Sequence, residues 1–419
     1  MDKFLYKKST KRRQTFNKGS KKKTVPSAAA ASSSVATLYH KYHPHPFHHL
    51  HPHLLAHAGP DASSQATRLL GTILSLPWQH HFRDGGGFQA VADTLVQASI
   101  PLAAMANPRA SLTFLRLTRQ NRRLQYGTEA AQFMDVFLPQ TTEPTQYKGM
   151  VFFVHGGAWG SGKPWFYRLC ALPFLQRGLA VAIVGNRVYP RGVVQDQVND
   201  LEAGFAKLME VYPDWCCNCK DSTKDTKHLG SIVMGHSSGA HIGLLWLVQR
   251  MKEQMMEQSS FINSNQPIIT TFVGISGPYN VNHHFDYEAA RGVEEISPLK
   301  PVNGLTRENL KQNSPAYRLQ QALKDLAHEG HIQDLFPKQC LLIHGIEDDT
   351  VPFVATAEAA CVLRRCGLLQ CQEIYVPETG HQEAVVHLML GGRTKDAIVD
   401  WLISAGNNNS SSVSYQSKL

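Results

Sequence analysis

From about residue 133 to residue 405, short apolar runs alternate with longer stretches whose apolar positions recur at helical spacing. The runs at 133–138, 150–154, 179–184, 231–234, 270–275, 339–343 and 372–376 read as strands. Several are apolar throughout, the pattern of strands covered on both faces. Residues 196–211, 238–256, 354–365, 382–390 and 394–404 read as the intervening helices. This rhythm predicts an α/β fold, with a mostly parallel central sheet and helices on both of its faces. Residues 277 to about 337 break the rhythm with several Pro and Gly, and read as a partly helical insertion, a small cap over the site. No internal repeat interrupts the pattern.

The chain ahead of this domain is different. Residues 1–66 run from a Lys-rich stretch through an Ala/Ser segment at 27–34 to a His/Pro tract at 40–57. Such a composition cannot offset its ordering entropy by burial and reads as a disordered tail. Residues 67–119 read as a helical segment. Its apolar runs, 69–78 and 88–105, are short or broken by polar residues and fall below the roughly 20 apolar residues that span a bilayer. They suit a docked or interfacial helix, so any membrane contact is expected to be peripheral. The folded domain is then 120–405, with a second disordered tail at 406–419.

Composition changes the picture in two places. At 42 % apolar, 419 residues can bury one large core. The net charge of +9 suggests nucleic acid until it is located: residues 1–25 hold ten Lys/Arg against Asp2 alone, which is the whole excess. A nucleic-acid face needs basic residues spread over folded surface, so no nucleic-acid partner is expected. The basic arm could serve as a targeting peptide, a nuclear signal, an anionic-membrane tether or a solvated tail. Lys outnumbers Arg in it eight to two, which argues against an organelle presequence.

The eight cysteines, Cys170, Cys216, Cys217, Cys219, Cys340, Cys361, Cys366 and Cys371, follow no secretory leader and read as reduced thiols. An intracellular protein is expected, cytoplasmic or peripheral to endomembranes. The C-x-x-C spacing at Cys216–Cys219 has no second pair or H-x₃-H partner at zinc-site distance, and no metal is expected.

Four segments carry chemistry. Gly235-His236-Ser237-Ser238-Gly239 is a G-x-S-x-G pentapeptide between an apolar strand and a helical pattern. A strand-to-helix turn this sharp needs its glycines, and it holds the Ser237 hydroxyl out as a nucleophile. His155-Gly156-Gly157-Ala158-Trp159 follows the 150–154 strand about 80 residues earlier, where an oxyanion loop belongs. The backbone N–H groups of Gly157, Ala158 and Ser238 are the candidate donors. His344-Gly345-Ile346-Glu347-Asp348-Asp349-Thr350-Val351-Pro352 closes a strand and offers Asp348 as the acid, with Glu347 and Asp349 as neighbours one residue away. Thr379-Gly380-His381 follows the last strand, and His381 completes the chain order Ser, Asp, His. His236, His241 and His344 stand in the wrong chain positions for a base and read as packing or supporting groups. This chemistry needs no cofactor.

These segments resemble the α/β-hydrolase branch that contains the isoprenylcysteine carboxyl methylesterases. Further stretches share the likeness: Arg122–Gly127 leading to Met134–Pro139, Asn186-Arg187 through Pro190, Gln195–Asp200, and Gly277-Pro278-Tyr279-Asn280 with His284-Phe285 and Arg291-Gly292. It covers roughly residues 120–405. The resemblance implies an α/β-hydrolase fold and a serine carboxylesterase with Ser237, Asp348 and His381 as its triad. It also implies a small-molecule or lipidated ester substrate, specifically a methyl ester on a prenylated cysteine. The His155–Trp159 loop is equally similar to that of arylformamidases acting on N-formylkynurenine. A carboxylesterase of broad specificity and a non-catalytic ligand receptor on the same scaffold are the other readings.

Overall fold

A computed structural model describes residues 107–140, 147–216, 226–257, 269–294, 297–325, 335–368 and 370–407. The expected tail at 1–66, most of the 67–119 segment, Cys217 and Cys219, and the chain end from 408 lie outside the described residues.

Eight strands form one sheet: β1 Arg122–Gln125, β2 Phe133–Phe137, β3 Tyr147–Val154, β4 Ala180–Val184, β5 Lys227–His236, β6 Ile269–Ile275, β7 Gln339–Gly345 and β8 Cys371–Val376. Their order is β1-β2-β4-β3-β5-β6-β7-β8. The β1–β2 and β2–β4 pairs are antiparallel and the other five are parallel. The expected mostly parallel sheet is what the chain forms.

The eight longer helices are α1 Pro108–Gln120, α2 Val194–Val211, α3 Ser238–Glu257, α4 Val281–Ala290, α5 Pro315–Asp325, α6 Val354–Arg365, α7 His381–Leu390 and α8 Arg393–Asn407. Alternation along β3 shows why two layers are needed. Met150, Phe152 and Val154 point to one core with Phe205 of α2 and Trp246 of α3. Val151 and Phe153 point to the other, with Tyr167, Phe174, Leu388 of α7 and Leu402 of α8. A strand buried on both sides has no polar face to display, hence its continuous apolar run.

The sequence reading differs from the structure at the edges. β3 begins three residues earlier and β5 extends at both ends, because pairing with a neighbour continues where hydrophobicity does not. β1 was not expected at all. Its Arg-Arg-Leu-Gln is polar and largely exposed, being an edge strand that needs only β2 beside it. Between β6 and β7 lie α4, the short helices Leu299–Asn303 and Arg307–Gln312, and α5.

Candidate active site

β5 ends at His236 and α3 begins at Ser238, leaving Ser237 alone at the corner. Its φ of +54° is in the left-handed region, a conformation that costs a non-glycine residue about 1–3 kcal/mol. The surroundings enforce it: the Ser237 N–H donates to the Ile275 carbonyl of β6 at 2.8 Å. Gly239 is required by a close approach, since a Cβ there would lie 2.3 Å from the Val154 carbonyl oxygen and 2.4 Å from that of His155.

His381 opens α7, directly after Gly380. Its Nε2 stands 2.9 Å from Ser237 Oγ and its Nδ1 stands 2.7 Å from Asp348 Oδ2. The three residues, up to 144 positions apart, meet because β5, β7 and β8 run parallel and end on the same side.

Asp348 is buried, whereas Glu347 and Asp349 are exposed. One oxygen, Oδ1, accepts the N–H groups of Thr350 at 3.0 Å and Val351 at 2.8 Å, which leaves Oδ2 for histidine. Burial alone would push this carboxyl up. The positive charge of His381 and hydrogen bonds from His344 and His381 outweigh it and hold the group well below the usual carboxylate range. Glu347 has a different place: its Oε2 accepts the Thr379 N–H at 2.7 Å and anchors the turn that presents His381. Nothing in the local sequence distinguishes that role.

The His155–Trp159 segment follows β3 in an unusual backbone course, with φ of +133° at Gly157, +47° at Ala158 and +60° at Trp159. It packs on the nucleophile so tightly that a Cβ at Gly156 would lie 3.1 Å from Ser237 Cβ and 2.9 Å from the His236 carbonyl oxygen. Two side chains pin it at Trp159. Trp159 Nε1–H donates to His241 Nδ1 at 3.0 Å, and Gln197 Nε2–H donates to the Trp159 carbonyl at 2.9 Å. The Gly157 carbonyl accepts from the Gly160 and Ser161 N–H groups at 3.0 and 2.9 Å. Among the described residues, no acceptor takes the N–H of Gly157, Ala158 or Ser238. Three donors beside the Ser237 hydroxyl are thus free for a developing negative charge.

Four further histidines near the triad have holding roles. His241, between Trp159 and the Asn313 carbonyl 2.7 Å from its Nε2, keeps its proton on Nε2, and burial pulls its pKa down to about 4. His236 donates Nε2–H to the His381 carbonyl at 3.2 Å, and burial, aided by the charge of His381, lowers it to about 3. His344 directs Nε2–H at the Val351 carbonyl, 2.9 Å away, and at Asp348 Oδ2, 3.2 Å away. His155 donates Nδ1–H to the Gly156 carbonyl at 2.9 Å; burial lowers its pKa, with that bond opposing.

Residues 134–361 match the family described as BD-FAE. A probable isoprenylcysteine alpha-carbonyl methylesterase from Oryza sativa subsp. japonica is 28% identical over 284 residues, 68% of this chain and 63% of that protein. A kynurenine formamidase from Danio rerio is 23% identical over 190 residues, 43% of this chain and 58% of that one. This chain therefore spans less than two thirds of the length of these curated relatives. A solved esterase B from Lactobacillus rhamnosis aligns with a TM-score of 0.49 at 15% identity, over 75% of this chain and 98% of that one. A likeness that faint leaves the chemistry to be argued from the residues.

Proposed function

The chain belongs to the BD-FAE family, and from that premise we propose that it hydrolyses carboxylic esters through an acyl-enzyme on Ser237. The observation that carries this reading is the unbroken chain Ser237 Oγ, His381 Nε2, His381 Nδ1, Asp348 Oδ2, at 2.9 and 2.7 Å. Ser237 Oγ attacks the ester carbonyl while His381 Nε2 takes its proton. Asp348 holds the imidazole with Nδ1–H toward itself and stabilises the imidazolium that forms. The carbonyl oxygen, now an alkoxide, lies against the N–H groups of Gly157, Ala158 and Ser238, each worth about 2.7–4 kcal/mol in sites of this kind. His381 returns the proton to the departing alkoxide, and a water molecule repeats the sequence to free the acid and Ser237.

The substrate we favour is a methyl ester at the alpha-carbonyl of an isoprenylated cysteine, supported by the rice relative's 28% identity over 68% of this chain. A formamide is the second reading, supported by the shorter match to the zebrafish formamidase. The same serine and histidine would serve, with an amine as the leaving group. The test compares a short acyl ester, a prenylcysteine methyl ester and N-formylkynurenine with purified full-length chain and its Ser237→Ala variant. Methanol release from the prenylcysteine ester that disappears in Ser237→Ala is the expected result. Selective formate release would favour the formamidase reading. No turnover of any, with tight binding of an apolar ligand, would leave a receptor.

We also propose that peripheral membrane contact is made at α1. Among the described residues no helix is long and apolar enough to cross a membrane. The outward face of α1 instead sets Leu112 and Leu115, 69% and 54% exposed, among Arg109, Arg116 and Arg119. The helix has no acidic residue, so this face complements an anionic lipid surface. Sedimentation with phosphatidylserine vesicles should weaken in Leu112→Ser/Leu115→Ser; unchanged sedimentation would move the contact elsewhere.

A further inference from the structure

Two polar side chains of the cap are buried without full satisfaction. His284 and Glu288 lie one turn apart on α4, 7% and 8% exposed, with His284 Nε2 at 3.4 Å from Glu288 Oε1. Glu288 Oε1 also accepts the Ser297 hydroxyl at 2.9 Å. The other atom of each group, His284 Nδ1 and Glu288 Oε2, has no hydrogen-bond partner among the described residues. Buried polar atoms are satisfied in the great majority of proteins, and an exception calls for an explanation.

Their surroundings supply one. Tyr287, stacked on His284 at 6.1 Å, donates its hydroxyl to the carbonyl of Asp349, the residue after the triad acid, at 2.7 Å. On the other side Pro298, next to Ser297, packs on Gly160, directly after the oxyanion segment, where a Cβ would meet Pro298 Cγ at 3.4 Å. His284 is also among the groups that act on the His241 imidazole, one helical turn beyond Ser237. The pair is therefore flanked by Tyr287, which touches the acid loop, and by Pro298, which touches the residue after the oxyanion loop.

With Nε2–H toward Glu288, His284 Nδ1 is an acceptor, and Glu288 Oε2 is an acceptor in any case. Two buried acceptors call for a donor. A carboxylate would be repelled by Glu288, and a hydrocarbon would strand both atoms. We propose that His284 and Glu288 form a specificity subsite for the α-nitrogen of an amino-acid ester, accepting its N–H bonds while the ester carbonyl lies at Ser237. The nitrogen is two bonds from the scissile carbon, so its subsite must flank the triad. The proposal rests on the ester-hydrolase reading for the identity of the reacting group.

The test measures binding separately from turnover. Full-length Ser237→Ala protein is titrated with S-hexylcysteine methyl ester and with methyl 3-(hexylsulfanyl)propanoate, which lacks only the amino group. The titration is run at about pH 7, below the ordinary α-amino pKa of about 7.7–8.0. The amino ester should bind about tenfold more tightly, and adding Glu288→Gln should erase that preference while the other ester's Kd stays within about twofold. Equal affinity of the two esters for Ser237→Ala overturns the proposal, as does a preference that survives Glu288→Gln. Should Glu288→Gln lose both ligands through misfolding, His284→Asn decides in its place: preference erased supports the subsite, preference kept overturns it. Turnover of the unmutated chain is read in parallel. If neither ester is hydrolysed, the ester-hydrolase reading fails while the binding result still judges the subsite.

Discussion

At the scale of single residues, neighbours of identical chemistry are separated by burial. Asp348 and Asp349 are adjacent carboxylates, yet Asp348 is buried against His381 and Asp349 is exposed, contributing its carbonyl to Tyr287. Asp348→Asn should therefore cut kcat on a short ester by about 10⁴-fold, because an amide can settle the wrong imidazole tautomer, while Asp349→Asn should stay near the parent. The reverse ranking would move the acid by one position. Burial also makes the histidines a pH liability. His236 and His241 are lowered to about 3 and about 4 in the folded chain, whereas unfolded they titrate near 6.5. Between those values the unfolded chain binds protons that the folded chain refuses. Stability is then full above about pH 6.5 and falls as pH drops toward 4. Asp348, depressed in the folded state, adds a loss of the same sense below its ordinary value of about 3.9. Urea midpoints measured from about pH 7.5 to about 4.5 should decline by the equivalent of a few kcal/mol. A flat profile would mean that these imidazoles are not held neutral.

At the scale of elements, one buried carboxylate joins four of them. Asp135 on β2 accepts two bonds from Arg168, at 3.0 and 2.8 Å, and two from Arg123 on β1, both at 3.3 Å. Arg168 lies on the 3₁₀ helix Pro164–Ala171 and also reaches Thr118 Oγ1 of α1 at 3.0 Å. With Asp135 fully buried and the Arg168 side chain 9% exposed, losing the carboxylate leaves a desolvated cation behind. Asp135→Asn should cost about 3–5 kcal/mol by chemical denaturation, with kcat per folded molecule retained. A change below about 1 kcal/mol would mean that solvent screens this pair as it screens surface ones. The cluster also explains β1, whose four polar residues have little reason to become a strand apart from pairing with β2 and meeting Asp135.

At the scale of the whole molecule, the triad and both cores lie within residues 107–407. Deleting residues 1–66 should accordingly leave a soluble, folded chain with unchanged kcat on a short ester. Aggregation or lost activity on deletion would make that segment part of the fold. Much of this organisation is legible in one dimension. Apolar runs without polar alternation specify strands covered on both faces, and Gly235–Gly239 and His155–Trp159 reveal themselves because tight turns leave glycine few substitutes. Such features depend on a residue and its chain neighbours, which is what a sequence records. The choice of Asp348 over Glu347 and Asp349, the anchoring of the histidine turn by Glu347, the clamp of His241 and Gln197 on Trp159, and the flanking of His284 and Glu288 by Tyr287 and Pro298 came only with the tertiary structure. Those depend on burial and on distances between residues tens of positions apart, and neither quantity exists until the sheet is assembled.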